Sequence, residues 1–195
     1  MILSPFRLLA WLFGLLVIGV PAAAVTLFLL AIAGSPGECD SQGRAIVADL
    51  AGAASFQEKW DGMNDALDAG QPSSATFTES EATSRARLWV EEHDAPVSDL
   101  RLCFNVEGGS GSAKVDIPFV PGDVDVLVSG TLDLTGDKPE ADITKTEMGR
   151  LPGPVSDAVE NFITRLIEHE TDDVTLKHDY GLTFGDGEIT ITGQP

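Results

Sequence analysis

The chain has 195 residues, a length that suits one domain with an appendage. It carries 12 Lys and Arg against 31 Asp and Glu, a formal charge of −19. That balance argues against binding nucleic-acid phosphates, which needs clustered basic side chains, and against electrostatic attraction to an anionic lipid surface. Two Cys are too few for a disulfide scaffold or for a zinc site built mainly from Cys.

From Leu8 to Ala33 no side chain is charged. As a helix this stretch is long enough to span the roughly 30 Å hydrocarbon layer, and Pro21 within it is tolerated there. Arg7 precedes it and acidic sequence begins at Glu38, so the positive-inside rule puts the N-terminus in the cytoplasm and residues 35–195 outside. A cleaved signal peptide competes, because Ala31-Ile32-Ala33 has the small-x-small form of a cleavage site. A signal core usually runs only about 7–15 residues, which favours the uncleaved anchor. Cys39 follows Pro36-Gly37-Glu38, not a lipobox. In an oxidising compartment Cys39 and Cys103 are candidates for a disulfide whose loop would contribute roughly 4 kcal/mol. Two unpaired thiols is the alternative of equal weight.

Residues 41–69 have helical spacing, with Ile46, Leu50 and Ala54 followed by Phe56, Trp60, Met63 and Leu67. The shift near Phe56 predicts a bend or two pieces. Such a helix is either a stalk that lifts the domain off the bilayer or a helix packed on it. Gly70 ends it, and Gln71-Pro72-Ser73-Ser74 reads as a linker. Thr78-Glu79-Ser80-Glu81 has capping-box form and predicts a helix through about Glu92.

Alternation then takes over. Leu100, Leu102, Phe104 and Val106 mark one strand and Ala113, Val115, Ile117 and Phe119 the next, with Glu107 to Gly111 as the loop between. Val124, Val126, Val128, Leu132 and Leu134 form one face of a third strand, and Ala141 and Ile143 begin a fourth. Past Leu151-Pro152-Gly153-Pro154, the residues Val155, Val159, Phe162 and Leu166 make a broad apolar stripe on a helix of about 16 residues. A terminal hairpin follows, turning at Gly185-Asp186-Gly187. The expected class is α+β: a curved antiparallel sheet of five to seven strands packed on a long apolar-faced helix.

Signals for chemistry are sparse. His93, His169 and His178 lack ligand-spaced companions, and each reads as solvated or incidental. Gly108-Gly109-Ser110-Gly111-Ser112 has Ser112 where a nucleophile elbow needs Gly, and it lies between strands, as a flexible hairpin loop. Asp123, Asp125 and Asp133 share one strand face; a calcium cluster is weighed there against a solvated outer face, and the solvated face is preferred. No catalysis, metal or cofactor is expected. An apolar-faced helix on a sheet either closes as a plain core or leaves a gap for an acyl chain, each buried methylene being worth about 0.8 kcal/mol.

The order of signals from Thr76 onward resembles bacterial extracytoplasmic lipid-binding domains related to the TULIP superfamily, periplasmic phospholipid-binding proteins among them. The resemblance rests on Phe77-Thr78-Glu79-Ser80-Glu81 before a short helix, Ser129-Gly130-Thr131-Leu132, Met148-Gly149-Arg150-Leu151-Pro152 before the apolar helix, and the final Gly187-Glu188-Ile189-Thr190-Ile191-Thr192-Gly193. It implies a helix wrapped by a strongly curved sheet, with a lipid groove between them. Leu151, Val155, Val159, Phe162 and Leu166 would supply the helical wall of that groove, and Val126, Val128, Leu132 and Ile143 the sheet wall. The expected organisation is then a cytoplasmic N-terminus (1–7), a transmembrane anchor (8–34), a helical stalk and linker (35–75) and an extracytoplasmic lipid-binding-like domain (76–195). A phospholipid or similar amphiphile is the expected ligand. A tethered structural or interaction module with a filled core is the alternative.

Overall fold

The computed structural model describes residues 36–117, 122–136, 138–148 and 176–195. The apolar stretch at 8–34 and the helix expected over 151–167 lie outside them. Among the described residues no helix is long and apolar enough to cross a membrane.

Residues 36–49 form an irregular strap. It turns at Gln42-Gly43, where both residues have positive φ and Asp40 Oδ1 accepts the Gln42 N–H (2.8 Å). Asp49 then caps helix α1 (Leu50–Asp68), its carboxylate accepting the Gly52 N–H at 2.7 Å. The helix therefore starts nine residues later than the spacing from 41 predicts. Ile46 and Val47 sit on the strap, where the Val47 N–H donates to Ser80 Oγ and the Asp49 N–H to Ser84 Oγ. Leu50 is 74% exposed, and the buried face of α1 is Ala53, Met63 and Leu67. α1 packs against α2, β1 and β7, so it is built into the domain.

Strand β1 (Ser73–Thr78) begins within the segment 71–74 that reads as a linker in the sequence. Its only large apolar side chain, Phe77, is fully buried. Helix α2 (Glu79–Glu92) has the expected capping box: Thr78 Oγ1 accepts the Glu81 N–H, and the Glu81 carboxylate accepts the Thr78 N–H.

Strands β2 (Val97–Asn105), β3 (Gly108–Asp116), β4 (Asp123–Asp133) and β5 (Glu140–Met148) form a four-stranded antiparallel sheet in that order. A second antiparallel sheet has the order β1-β7-β6, from β6 (Asp179–Gly185) and β7 (Glu188–Gln194). The chain is thus α+β, with two sheets where one was expected. They are stitched at a corner, where the Tyr180 N–H donates to the Leu134 carbonyl (3.2 Å) and the Gly187 N–H to the Phe104 carbonyl (3.1 Å). The supposed loop 107–111 is mostly strand: β2 and β3 are joined by Val106-Glu107 alone. Side chains of neighbouring strands crowd two glycines of β3. A Cβ at Gly109 would stand 3.3 Å from the Phe184 ring and one at Gly111 3.3 Å from Leu102.

Met63, Leu67, Phe77, Ala82, Phe104, Leu134, Tyr180, Ile189 and Ile191 form the core between α1, α2 and the two sheets. Phe56 packs on Phe77 (ring centroids 4.3 Å apart) and Trp60 on Tyr180 (5.3 Å). Each large apolar side chain fully buried here contributes ~1.5–3 kcal/mol.

Candidate functional site

The pairing register settles where the sheet-wall candidates lie. Val126 faces Met148, Val128 faces Thr146, Gly130 faces Ile143, and Leu132 faces Ala141. The register shifts between Ser129 and Gly130, with Thr144 as the extra residue on β5 and its hydroxyl donating to the Ser129 carbonyl at 3.1 Å. Without that bulge Ile143 would share a face with Lys145 and Glu147. With it, Val126, Val128, Leu132 and Ile143 fall on one face. Gly130 makes the bulge feasible, because a Cβ there would overlap the Asp142 carbonyl oxygen.

Exposure rises along this stripe. Val126 is buried, Val128 and Ile143 are half-buried, and Leu132 is 37% exposed. Leu132 opens into a cleft of about 530 Å³ between the β4–β5 hairpin and β6. Leu134, Leu182, Ala141 and Gly181 line it with Leu132, and Asp133, Glu140 and Asp142 are its carboxylates. Asp133 is occupied locally: the Thr135 N–H and hydroxyl both donate to it (2.8 and 2.7 Å) and lower its pKa. The helical-wall candidates Leu151, Val155, Val159, Phe162 and Leu166 lie outside the described residues.

Cys39 and Cys103 are joined in a disulfide, with Cα atoms 5.9 Å apart. The Cys39 N–H also donates to Ser112 Oγ (3.2 Å), so the strap is fixed to the face of the four-stranded sheet opposite the Val126–Leu132 stripe. Farther on, Arg44 spans both oxygens of Glu79 (2.9 and 3.1 Å) and reaches the Phe104 carbonyl (3.3 Å). Glu79 is only 3% exposed and also accepts the Phe104 N–H at 2.8 Å. Strap, α2 and β2 meet on that carboxylate. Sequence reading passed over both residues, since Glu79 stands inside a capping box and Arg44 in an irregular run.

His178 is also more than incidental. Its Nε2 lies 3.0 Å from Asp68 Oδ1 with the side chain 14% exposed, tying the start of β6 to the end of α1. The neighbouring Tyr180 hydroxyl donates to Asn64 Oδ1. These contacts join elements and bring no nucleophile to the histidine. Asp125 lies opposite Lys114 across the β3–β4 pair, and among the described residues no group of three or more His, Cys, Asp or Glu is placed to hold a metal ion.

Comparison with protein-family models, curated proteins and solved structures gave no match.

Proposed function

We propose that this chain is a membrane-anchored extracytoplasmic domain that binds a phospholipid or similar amphiphile without catalysis. The observation that carries this reading is the graded stripe Val126, Val128, Ile143 and Leu132, which ends in an open cleft where Leu132, Leu134 and Leu182 stand among threonines and carboxylates. An acyl chain laid along such a stripe gains about 0.8 kcal/mol per buried methylene and needs no charged contact. The resemblance to TULIP-related domains implies a second wall, from a helix that would carry Leu151, Val155, Val159, Phe162 and Leu166. The oxidised Cys39–Cys103 pair supports an extracytoplasmic setting, since disulfides persist where the surroundings oxidise. The uncharged run Leu8–Ala33 supports the anchor.

A second reading, a tethered interaction module, draws on a different observation. The residues packed between α1, α2 and the two sheets form one buried apolar cluster, and among the described residues no buried side-chain nitrogen or oxygen lacks a hydrogen bond. The cleft's three carboxylates would then receive a cationic side chain of a protein.

Leu132→Glu separates the two. Leu132 is partly exposed, so the variant is expected to keep its fold by circular dichroism. Residues 36–195, made without detergent, are expected to carry lipid detectable by mass spectrometry and to take up a fluorescent fatty acid. Leu132→Glu should weaken uptake at least tenfold. Absence of lipid and of uptake in the unaltered domain would leave the interaction module as the reading.

A further inference from the structure

Each sheet has two edge strands, and an edge strand presents a row of backbone N–H and carbonyl groups without strand partners. Three of these four edges are met from outside. On β2, Thr83 Oγ1 accepts the Leu102 N–H (3.0 Å), Arg87 donates to the Leu100 carbonyl (2.7 Å) and Glu79 accepts the Phe104 N–H (2.8 Å). On β1, Lys59 donates to the Thr76 carbonyl (2.9 Å), and on β6 the Tyr180 N–H reaches the Leu134 carbonyl (3.2 Å). β5 is different. Its one strand neighbour is β4, and among the described residues no other element hydrogen-bonds to the backbone of residues 140–147. Glu140, Ala141, Asp142, Thr144 and Lys145 are exposed.

The side chains of this edge are sorted by face. The register puts Glu140 opposite Asp133 and Asp142 opposite Thr131, on the face that carries the disulfide. Among the described residues no Lys or Arg pairs with Glu140 or Asp142, and Lys145, farther along, is taken by Glu147. Ala141 and Ile143 lie on the other face, opposite Leu132 and Gly130. The bulge at Thr144 interrupts the register past Ile143, so the regular stretch is 140–143. A second copy of this chain is a poor fit to the edge. It would bring the same carboxylates, and a net charge of −19 against an equal charge.

From the open edge and its sorted faces we infer that the outer edge of β5 accepts an extended, basic segment of another protein as an added strand of the sheet. Main-chain hydrogen bonds to residues 140–143 supply attraction whatever the segment's sequence, and alternation supplies the choice of partner. Lys or Arg at every second position falls beside Glu140 and Asp142, where opposite charges on neighbouring strands attract. The intervening positions, small or apolar, fall beside Ala141 and Ile143. Carboxylates that turn away a second copy thus select a cationic strand. This inference does not rest on the lipid reading, and it carries the interaction reading from the cleft to the strand beside it.

The test uses the full chain in a non-ionic detergent and a fluorescein-labelled peptide of alternating Lys and Val. Fluorescence anisotropy should report saturable binding, and hydrogen exchange read by mass spectrometry should show new protection within residues 140–144. The same peptide N-methylated at every backbone nitrogen keeps all its side chains and charges but has no N–H to donate. It should bind at least tenfold more weakly. Glu140→Lys with Asp142→Lys, both at exposed positions, should weaken binding of the unmodified peptide at least tenfold and leave the circular dichroism unchanged. Equal binding of the two peptides reduces the edge to an acidic surface and overturns strand addition. Protection of 140–144 that needs no peptide and grows with protein concentration assigns the edge to a second copy and overturns the basic partner. Absence of saturable binding overturns the inference outright.

Discussion

Glu81 shows how a single side chain ties the domain's stability to pH. Burial alone would push its carboxyl up. Hydrogen bonds from Lys59, from Ser55 and from the Thr78 N–H outweigh burial and bring it from 4.5 down to about 2. The unfolded chain consequently takes up this proton before the folded one does. The stabilisation, about 2–3 kcal/mol, is complete above roughly pH 5 and drains away as the pH falls toward 2. Between pH 7 and pH 3 this group should lose about 1–2 kcal/mol of that contribution in urea melts, because pH 3 still lies above its folded value. Glu81→Gln, which still suits a capping box, should shrink the pH dependence by about the same 1–2 kcal/mol. A pH dependence unchanged by the substitution would show that other carboxylates govern acid unfolding. Glu79, two residues away, shows what a sequence conceals. Nothing in its neighbourhood says that it is buried under Arg44, because the contact spans 35 positions. The capping role of Thr78 and Glu81 is local, and for that reason it is legible in four consecutive letters.

The same division between local and distant holds for the elements. α2 and the hairpin of β6 and β7 are readable because caps, turns and alternation are short-range codes. β1 is not, since Ser73 and Ser74 look like linker and only pairing with β7 makes them strand. The start of α1 is misjudged for a related reason. The apolar residues Ile46 and Leu50 have helical spacing, yet the hydroxyls of Ser80 and Ser84 take the strap's N–H groups and hold it extended. Val126, Val128 and Leu132 are placed on one face by simple alternation. Ile143 joins them only through the bulge at Thr144, which parity along β5 does not reveal. Gly130→Ala tests that bulge. Its new methyl would meet backbone, which cannot swing aside, so the change should cost about 2–3 kcal/mol in a urea titration. It should also reduce fatty-acid uptake by turning Ile143 away from the stripe. A neutral effect on both would show that the β4–β5 pair tolerates a regular register.

At the scale of the molecule, two sheets meet at a corner under α1 and α2, and a covalent bond closes the loop from 39 to 103. The α+β class and the antiparallel pairing follow from strand patterns in the sequence. The partition into two sheets does not, because it depends on contacts such as Tyr180 with Leu134, 46 positions apart. Removing the bridge by Cys39→Ser with Cys103→Ser should lower stability by about 2–4 kcal/mol at neutral pH, read as a shift in the urea midpoint. An unshifted midpoint would mean that Arg44 with Glu79, and the hydrogen bonds of Val47 and Asp49, hold the strap unaided.

The bridge also fixes how the molecule carries mechanical load. A pull on the chain's beginning passes through Cys39 straight into β2, so α1, β1 and α2 lie on a closed circuit that bears no tension. Stretched between its termini in optical tweezers, the oxidised protein should release about 220 Å less contour than the reduced one, the length of 64 residues at full extension. A shear on whatever holds the N-terminus would strain the four-stranded sheet first and spare the helices.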